Sequence, residues 1–168
     1  MAEREIVIYG DPVLREVSEP VEEINQEIKD LVSDMVDALN KAQGLGLAAV
    51  QVGVPKRLFI LNLSATDISE TLRVYVNPEI IETDGEIEYE EGCLSFPGIY
   101  QKIDRPEKVK IRYSDLDGNS FEQEADGMIA RAILHEFDHL EGRLFIDHLS
   151  TISRSLLRGR LKKLSTAV

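Results

Sequence analysis

The chain has 168 residues, 43% hydrophobic and 30% charged, with no repeated or low-complexity segment, which excludes a disordered chain and suits one domain spanning residues 1–168. Its formal net charge of −12 excludes nucleic-acid binding by the domain as a whole, because phosphate contacts need a basic surface, and no sequence-specific nucleic-acid partner is expected. The N-terminal residues carry charges where a signal peptide needs an apolar stretch, no later run approaches membrane-spanning length, and Cys93 is the only cysteine, so a cytoplasmic protein without membrane attachment or intrachain disulfide is expected.

The first predicted element is an amphipathic helix over residues 21–42, where Ile24, Ile28, Leu31, Met35 and Leu39 recur at spacings of three and four. Ser18 ahead of Pro20 supplies a start signal, and Gly44 and Gly46 stop the helix. Short β-branched and aromatic runs at 57–63, 72–76, 86–89 and 108–113 read as strands. Asp115-Leu116-Asp117-Gly118 joins the last of these to 120–124 as an antiparallel hairpin. A second helix is predicted over 125–141, ending at Gly142, then an extended piece at 143–147 and a third helix over 151–164. Strands in the middle of the chain with helices at both ends describe an α+β fold, because the alternation of a doubly wound parallel sheet is missing. The stretch 150–168 makes a basic C-terminal helix, with Arg154, Arg158, Arg160, Lys162 and Lys163 and no acid. Ile152, Leu156, Leu157 and Leu161 interleave with these cations, which suit either a solvated helix end or a docking surface.

The strongest chemical signal is His135-Glu136-Phe137-Asp138-His139 inside the second predicted helix. Residues four apart share a helix face with Cβ atoms about 5–6 Å apart, so both imidazoles reach one metal ion, and Glu136 meets a metal-bound water without being a ligand. Such a helix alone also describes a metalloprotease, so the third ligand decides the class. The extended protease form continues as far as Gly142, but Phe145 stands where its third histidine belongs, and His148 reads as a surface or packing residue. Upstream, Cys93 lies in Glu91-Gly92-Cys93-Leu94-Ser95, where Gly92 permits close backbone approach and the Phe96-Pro97-Gly98 turn follows.

With those residues in view, the chain resembles the peptide deformylase family. Gly44-Leu45-Gly46-Leu47-Ala48-Ala49-Val50-Gln51 matches the family's first motif, Glu91 to Ser95 its second and His135 to His139 its third, in the family's order. The resemblance implies that Cys93, His135 and His139 hold one divalent ion, most expectedly Fe²⁺ with Zn²⁺ or Ni²⁺ as alternatives, leaving a fourth position for water. It implies removal of the formyl group from N-formylmethionyl peptides, with Glu136 as the acid–base group and the Gln51 amide and Leu94 N–H as oxyanion donors. The methionine pocket is expected near Leu45, Leu94 and Ile129, with backbone at Gly46 and Gly92 pairing the extended peptide. It also implies that the basic helix docks on the ribosome, as a tail whose removal spares the chemistry. Two positions depart from the family: Leu134 stands where glutamine is frequent, and Gly98-Ile99-Tyr100 where some members carry a basic residue. The competing readings are a metalloprotease of the HExxH class and a non-catalytic, metal-containing ribosome-binding module.

Overall fold

In the computed structural model, which describes residues 4–63 and 72–166, helix α1 spans Gln26–Ala42 and buries Ile28, Leu31, Met35 and Leu39 along one face. It starts five residues later than its apolar periodicity predicts. Val21 is instead held in extended chain by Asn77, whose side-chain oxygen accepts the Val21 N–H at 2.7 Å while its amide donates to the Val21 carbonyl at 2.8 Å. The Asn25 side chain then caps the helix by accepting the Ile28 N–H. At the other end Gln43 (φ 54°) takes the left-handed turn expected of the glycines beyond it.

Five strands form one antiparallel sheet in the order β1-β2-β3-β6-β7. They are β1 (Gly46–Ala48), β2 (Leu58–Leu61), β3 (Arg73–Asp84), β6 (Lys108–Ser114) and β7 (Ser120–Asp126). A separate antiparallel pair joins β4 (Ile87–Gly92) to β5 (Tyr100–Arg105). Alternation divides the core of the main sheet: Leu58 and Ile60 face α1, while Phe59 and Leu61 face the second helix, α2 (Gly127–Leu140). The β6–β7 hairpin turns where predicted, with Asp115 Oδ1 accepting the N–H groups of Asp117 and Asn119.

Several elements differ from the sequence expectation. Strand β3 runs on to Asp84, past the point where apolar alternation stops, because it continues to pair with β6 across two register shifts. β5 was not expected at all, since its two buried residues are Ile103 and a charged residue, Arg105. The expected extended piece at 143–147 is overturned in part: Phe145–His148 is a 3₁₀ turn, stabilised where the Asp147 carboxylate accepts the Leu144 N–H at 3.0 Å.

Helix α3 (Thr151–Thr166) is not a detachable tail. Leu157 and Leu161 are buried in a third core cluster with Leu14, Phe96 and Phe145, so removing α3 would strip the cover from residues beside the Glu91 to Ser95 segment. Residues 167 and 168 of the expected basic helix lie outside the described residues. Among the described residues no helix is long and apolar enough to cross a membrane.

The end of α2 is pinned by Gly142, which has φ +72° and whose hypothetical Cβ would lie 2.6 Å from the Arg15 carbonyl oxygen. Both the backbone angle and the approach exclude a side chain there. Gly142→Ala is expected to destabilise the protein by more than about 1 kcal/mol. Urea unfolding monitored by circular dichroism checks this, and an unchanged midpoint would show that the approach relaxes freely.

Candidate metal centre

Motif one leaves α1 and enters β1, motif two ends β4 and begins the following turn, and motif three lies within α2. The fold brings all three to one cavity of about 280 Å³, lined by Gln51, Leu94, Met128, Ala132, His135 and Glu136 among others. Cys93, His135 and His139 each offer a ligand atom, and these atoms all lie within 4.8 Å of one another. The Cys93 Sγ stands 3.5 Å from His139 Nε2. Metal–ligand bonds of about 2.0–2.3 Å place tetrahedral donors about 3.5 Å apart, so a small divalent ion fits this set.

The surrounding polar groups favour the same interpretation. Glu91 Oε1 lies 2.8 Å from His135 Nδ1, fixing one ring nitrogen as the donor and leaving Nε2 for a ligand. Burial pushes the His139 imidazole down to about 3, reinforced by the charge of His135, which keeps the ring neutral as ligation requires. For His135 burial also opposes charge, but its hydrogen bonds with Cys93 and Glu91 outweigh it and raise the pKa well above the usual value. Binding a cation at these atoms expels that proton.

Glu136 is buried on α2, and its Oε1 has no hydrogen-bond partner among the described residues. Burial pushes its carboxyl up to about 7, against the lowering charges of His135 and Arg105. A buried carboxyl with a free oxygen beside a thiol and two imidazoles is an expensive arrangement for a structural core, and a nearby cation offsets that cost. Gly46 explains how the carboxylate fits, because a Cβ there would stand 2.8 Å from Glu136 Oε2.

Gln51 is set as a donor. Its Oε1 accepts the Ala48 N–H at 3.0 Å, which turns Nε2 toward Ser95 Oγ at 3.1 Å and Cys93 Sγ at 3.6 Å. Leu45, Gly46, Gly92 and Leu94 also line the cavity, whereas Ile129 does not: it packs against the main core, and its helix neighbours Met128 and Ala132 form the wall instead. The α-helical step explains the displacement, since Ile129 projects about 100° around the axis from Met128, toward the main core, while Ala132 lies between the two directions.

Glu91 was legible only as part of a motif, although a ligating histidine needs a partner for its other nitrogen and a neighbouring acid is the first candidate. Its Oε2 accepts from Arg105 Nε and Arg131 Nη1, both at 2.5 Å, and its Oε1 accepts from Arg105 Nη2 at 3.0 Å. Hydrogen bonds and charge from His135 and Arg105 hold the Glu91 carboxylate down to about 2 even though burial works in the opposite direction. Arg105 also binds Asp138 at 2.9 Å, and Asp138 meets His148 at 2.7 Å, so His148 partners a network residue rather than the ligand set. Phe145, at the protease ligand position, is buried core.

Residues 3–155 match the model of the polypeptide deformylase family. The chain belongs to that family. Among deformylase relatives, the peptide deformylase of Maricaulis maris is 46% identical over 97% of this chain and 94% of its own length. That of Pseudomonas aeruginosa is 46% identical, covering 97% of this chain and 96% of its own. A crystal structure of a peptide deformylase from Legionella pneumophila superposes with a TM-score of 0.90 at 41% identity, covering 99% of this chain and 97% of that one. The antiparallel α+β architecture is therefore that of a deformylase.

Proposed function

We propose that the chain removes the formyl group from the N-terminal methionine of nascent polypeptides, with Cys93, His135 and His139 holding one divalent ion and Glu136 moving the protons. Family membership supports the reaction and its metal dependence. The residue roles rest on one observation, the convergence of a thiol, two imidazoles and a buried carboxyl with an unpartnered oxygen on a single cavity. The thiolate in place of a third histidine favours this reading over a metalloprotease, and the unliganded acid favours an enzyme over a structural metal module, whose four positions are normally filled by protein.

The ion, when bound, supplies Lewis acidity and lowers the pKa of water toward neutrality. Glu136 accepts the proton of the attacking water and delivers it to the amide nitrogen as the C–N bond breaks, releasing formate and the free amine. A pKa raised by burial suits one carboxylate to both tasks. The Gln51 amide, preset by the Ala48 N–H, and the Leu94 N–H donate to the oxyanion, each such donor being worth about 3–4 kcal/mol in the transition state. Backbone at Gly46 and Gly92 is available to pair the extended peptide, and Leu45, Leu94, Met128 and Ala132 offer apolar contact to the methionine side chain.

Glu136→Gln is expected to retain the metal and nearly abolish formate release from formyl-Met-Ala-Ser. Retention of half the parent kcat would remove Glu136 from the acid–base role.

The native ion is proposed to be Fe²⁺. Intrinsic affinity ranks Fe²⁺ below Zn²⁺, so the mixed thiolate–imidazole set does not choose between them, and resemblance to the family supplies the preference. Oxidation of the ion or of the Cys93 thiolate removes the reactive state. Metal-stripped protein reloaded separately with Fe²⁺, Ni²⁺ or Zn²⁺ should therefore be most active with iron without oxygen, lose activity in air, and tolerate air better with nickel. Highest activity with zinc together with an air-stable iron form would overturn the choice of metal.

The basic helix is proposed to dock on the ribosome. Ile152 and Leu156 are 75% and 80% exposed, and Arg154, Arg158 and Lys162 line a shared groove with Tyr9. Because Leu157 and Leu161 are buried, surface changes test this better than deletion. Replacing Ile152, Leu156 and Arg158 together by serine should weaken ribosome co-sedimentation in a salt-dependent way and spare tripeptide hydrolysis; undiminished co-sedimentation rules the docking out.

A further inference from the structure

We propose that Arg131 is a positioning residue of the metal centre, its one guanidinium fixing the carboxylate behind His135 while tying down the β4–β5 hairpin that walls the cavity. Arg131, His135 and His139 succeed one another at intervals of four on α2 and so share one helix face. The Arg131 side chain is only 6% exposed. It spends its donors on three acceptors: Nη1 on Glu91 Oε2 at 2.5 Å and the Ile103 carbonyl at 3.0 Å, and Nη2 on the Ile87 carbonyl at 2.7 Å.

The first function follows from charge and from occupied lone pairs. Arg105 is shared between buried Glu91 and half-buried Asp138, so without Arg131 the two carboxylates would share one guanidinium, with His148 meeting Asp138 alone. With Arg131 the carboxylates of Glu91 and Asp138 are met by two guanidiniums, and Glu91 receives four donors: Arg105 twice, Arg131 once and His135 Nδ1 once. A carboxylate held on every side cannot rotate away from His135, and it keeps the ring directed with Nε2 toward Cys93 and His139.

The second function follows from the two carbonyls. Ile87 opens β4 and Ile103 lies on β5 opposite Tyr89, so the fork clasps both strands of the hairpin, and the guanidinium also stands 5.9 Å from the Tyr89 ring. The same hairpin carries Glu90, Gly92 and Tyr100 into the cavity wall. A lysine can supply the charge but not the planar fork that reaches a carboxylate and two carbonyls together, so the two functions separate by substitution.

This inference rests on His135 being a metal ligand. The test compares the parent with Arg131→Met and Arg131→Lys, measuring Co²⁺ affinity by chelator competition, read from the absorption of the thiolate-bound ion, and KM and kcat on formyl-Met-Ala-Ser. Arg131→Met should hold Co²⁺ about 10-fold more weakly, the lower end of the range for losing the direct partner of a ligating histidine because Arg105 still holds Glu91, with a raised KM. Arg131→Lys should return Co²⁺ affinity to within roughly threefold of the parent while KM stays raised severalfold, because charge is restored and the fork is not. A merely structural arginine would lower the melting temperature and move neither constant. A folded Arg131→Met variant with the parent's affinity and KM overturns the proposal. If that variant does not fold, Arg131→Lys decides alone, and a parental KM or an affinity loss as large as that expected for methionine overturns it. A parent that binds no stoichiometric Co²⁺, or a Cys93→Ala variant that binds it equally well, instead strikes at the ligand set.

Discussion

Everything at the centre depends on keeping one carboxylate ionised away from water. Glu91 lies at the end of β4 with its charge buried, a state that costs several kcal/mol unless its lone pairs are met by donors. Two arginines and one imidazole meet them, and they arrive from β5 and from two turns of α2. The hairpin and the helix are therefore joined through charge at the point where the orientation of the His135 ring is fixed. The same pairing transmits outward from Arg105 to Asp138 and His148, so the second and third motifs are one electrostatic unit although more than forty residues separate Glu91 from His135.

The main sheet performs a different task, setting distances. Strand β1 is three residues long, yet its register against β2 places Gly46 opposite Leu61 and brings it against Glu136. Helix α2 packs on the same face through Ala130 and Ile133, and so the separation of strand and helix decides where the carboxylate sits. Gln51 follows from this arrangement, since its orientation is dictated by the Ala48 N–H at the end of the same strand. Third in order is α3, which covers Phe96 and Phe145 and thereby supports the segment that leads out of the cysteine motif.

What the sequence made legible is what short spacing encodes. Histidines four apart on a helix, a hairpin with a tight acidic turn, and the apolar stripe of α1 each declare themselves within a few residues. What it concealed depends on partners far along the chain. The start of α1 was misread because Asn77, fifty-six residues away, captures the backbone of Val21. β5 was invisible because its buried pattern includes a charged residue whose partners are Glu91 and Asp138. Ile129 is a natural sequence candidate for the pocket because apolarity is visible in the sequence, while the angular phase of α2 that turns Met128 and Ala132 to the cavity is not.

The contact between Gly46 and Glu136 has a consequence for inhibition and for drift. A side chain that gauges a neighbouring group can be exchanged, shortened or rotated, but here the gauge is the peptide backbone, and any added carbon meets the carboxylate oxygen at 2.8 Å. A larger residue at position 46 therefore requires the Glu136 carboxylate and the tip of the Leu61 side chain to move aside. A ligand that draws its affinity from the backbone at this point would bind a surface that a larger residue at position 46 reshapes only by moving the Glu136 carboxylate.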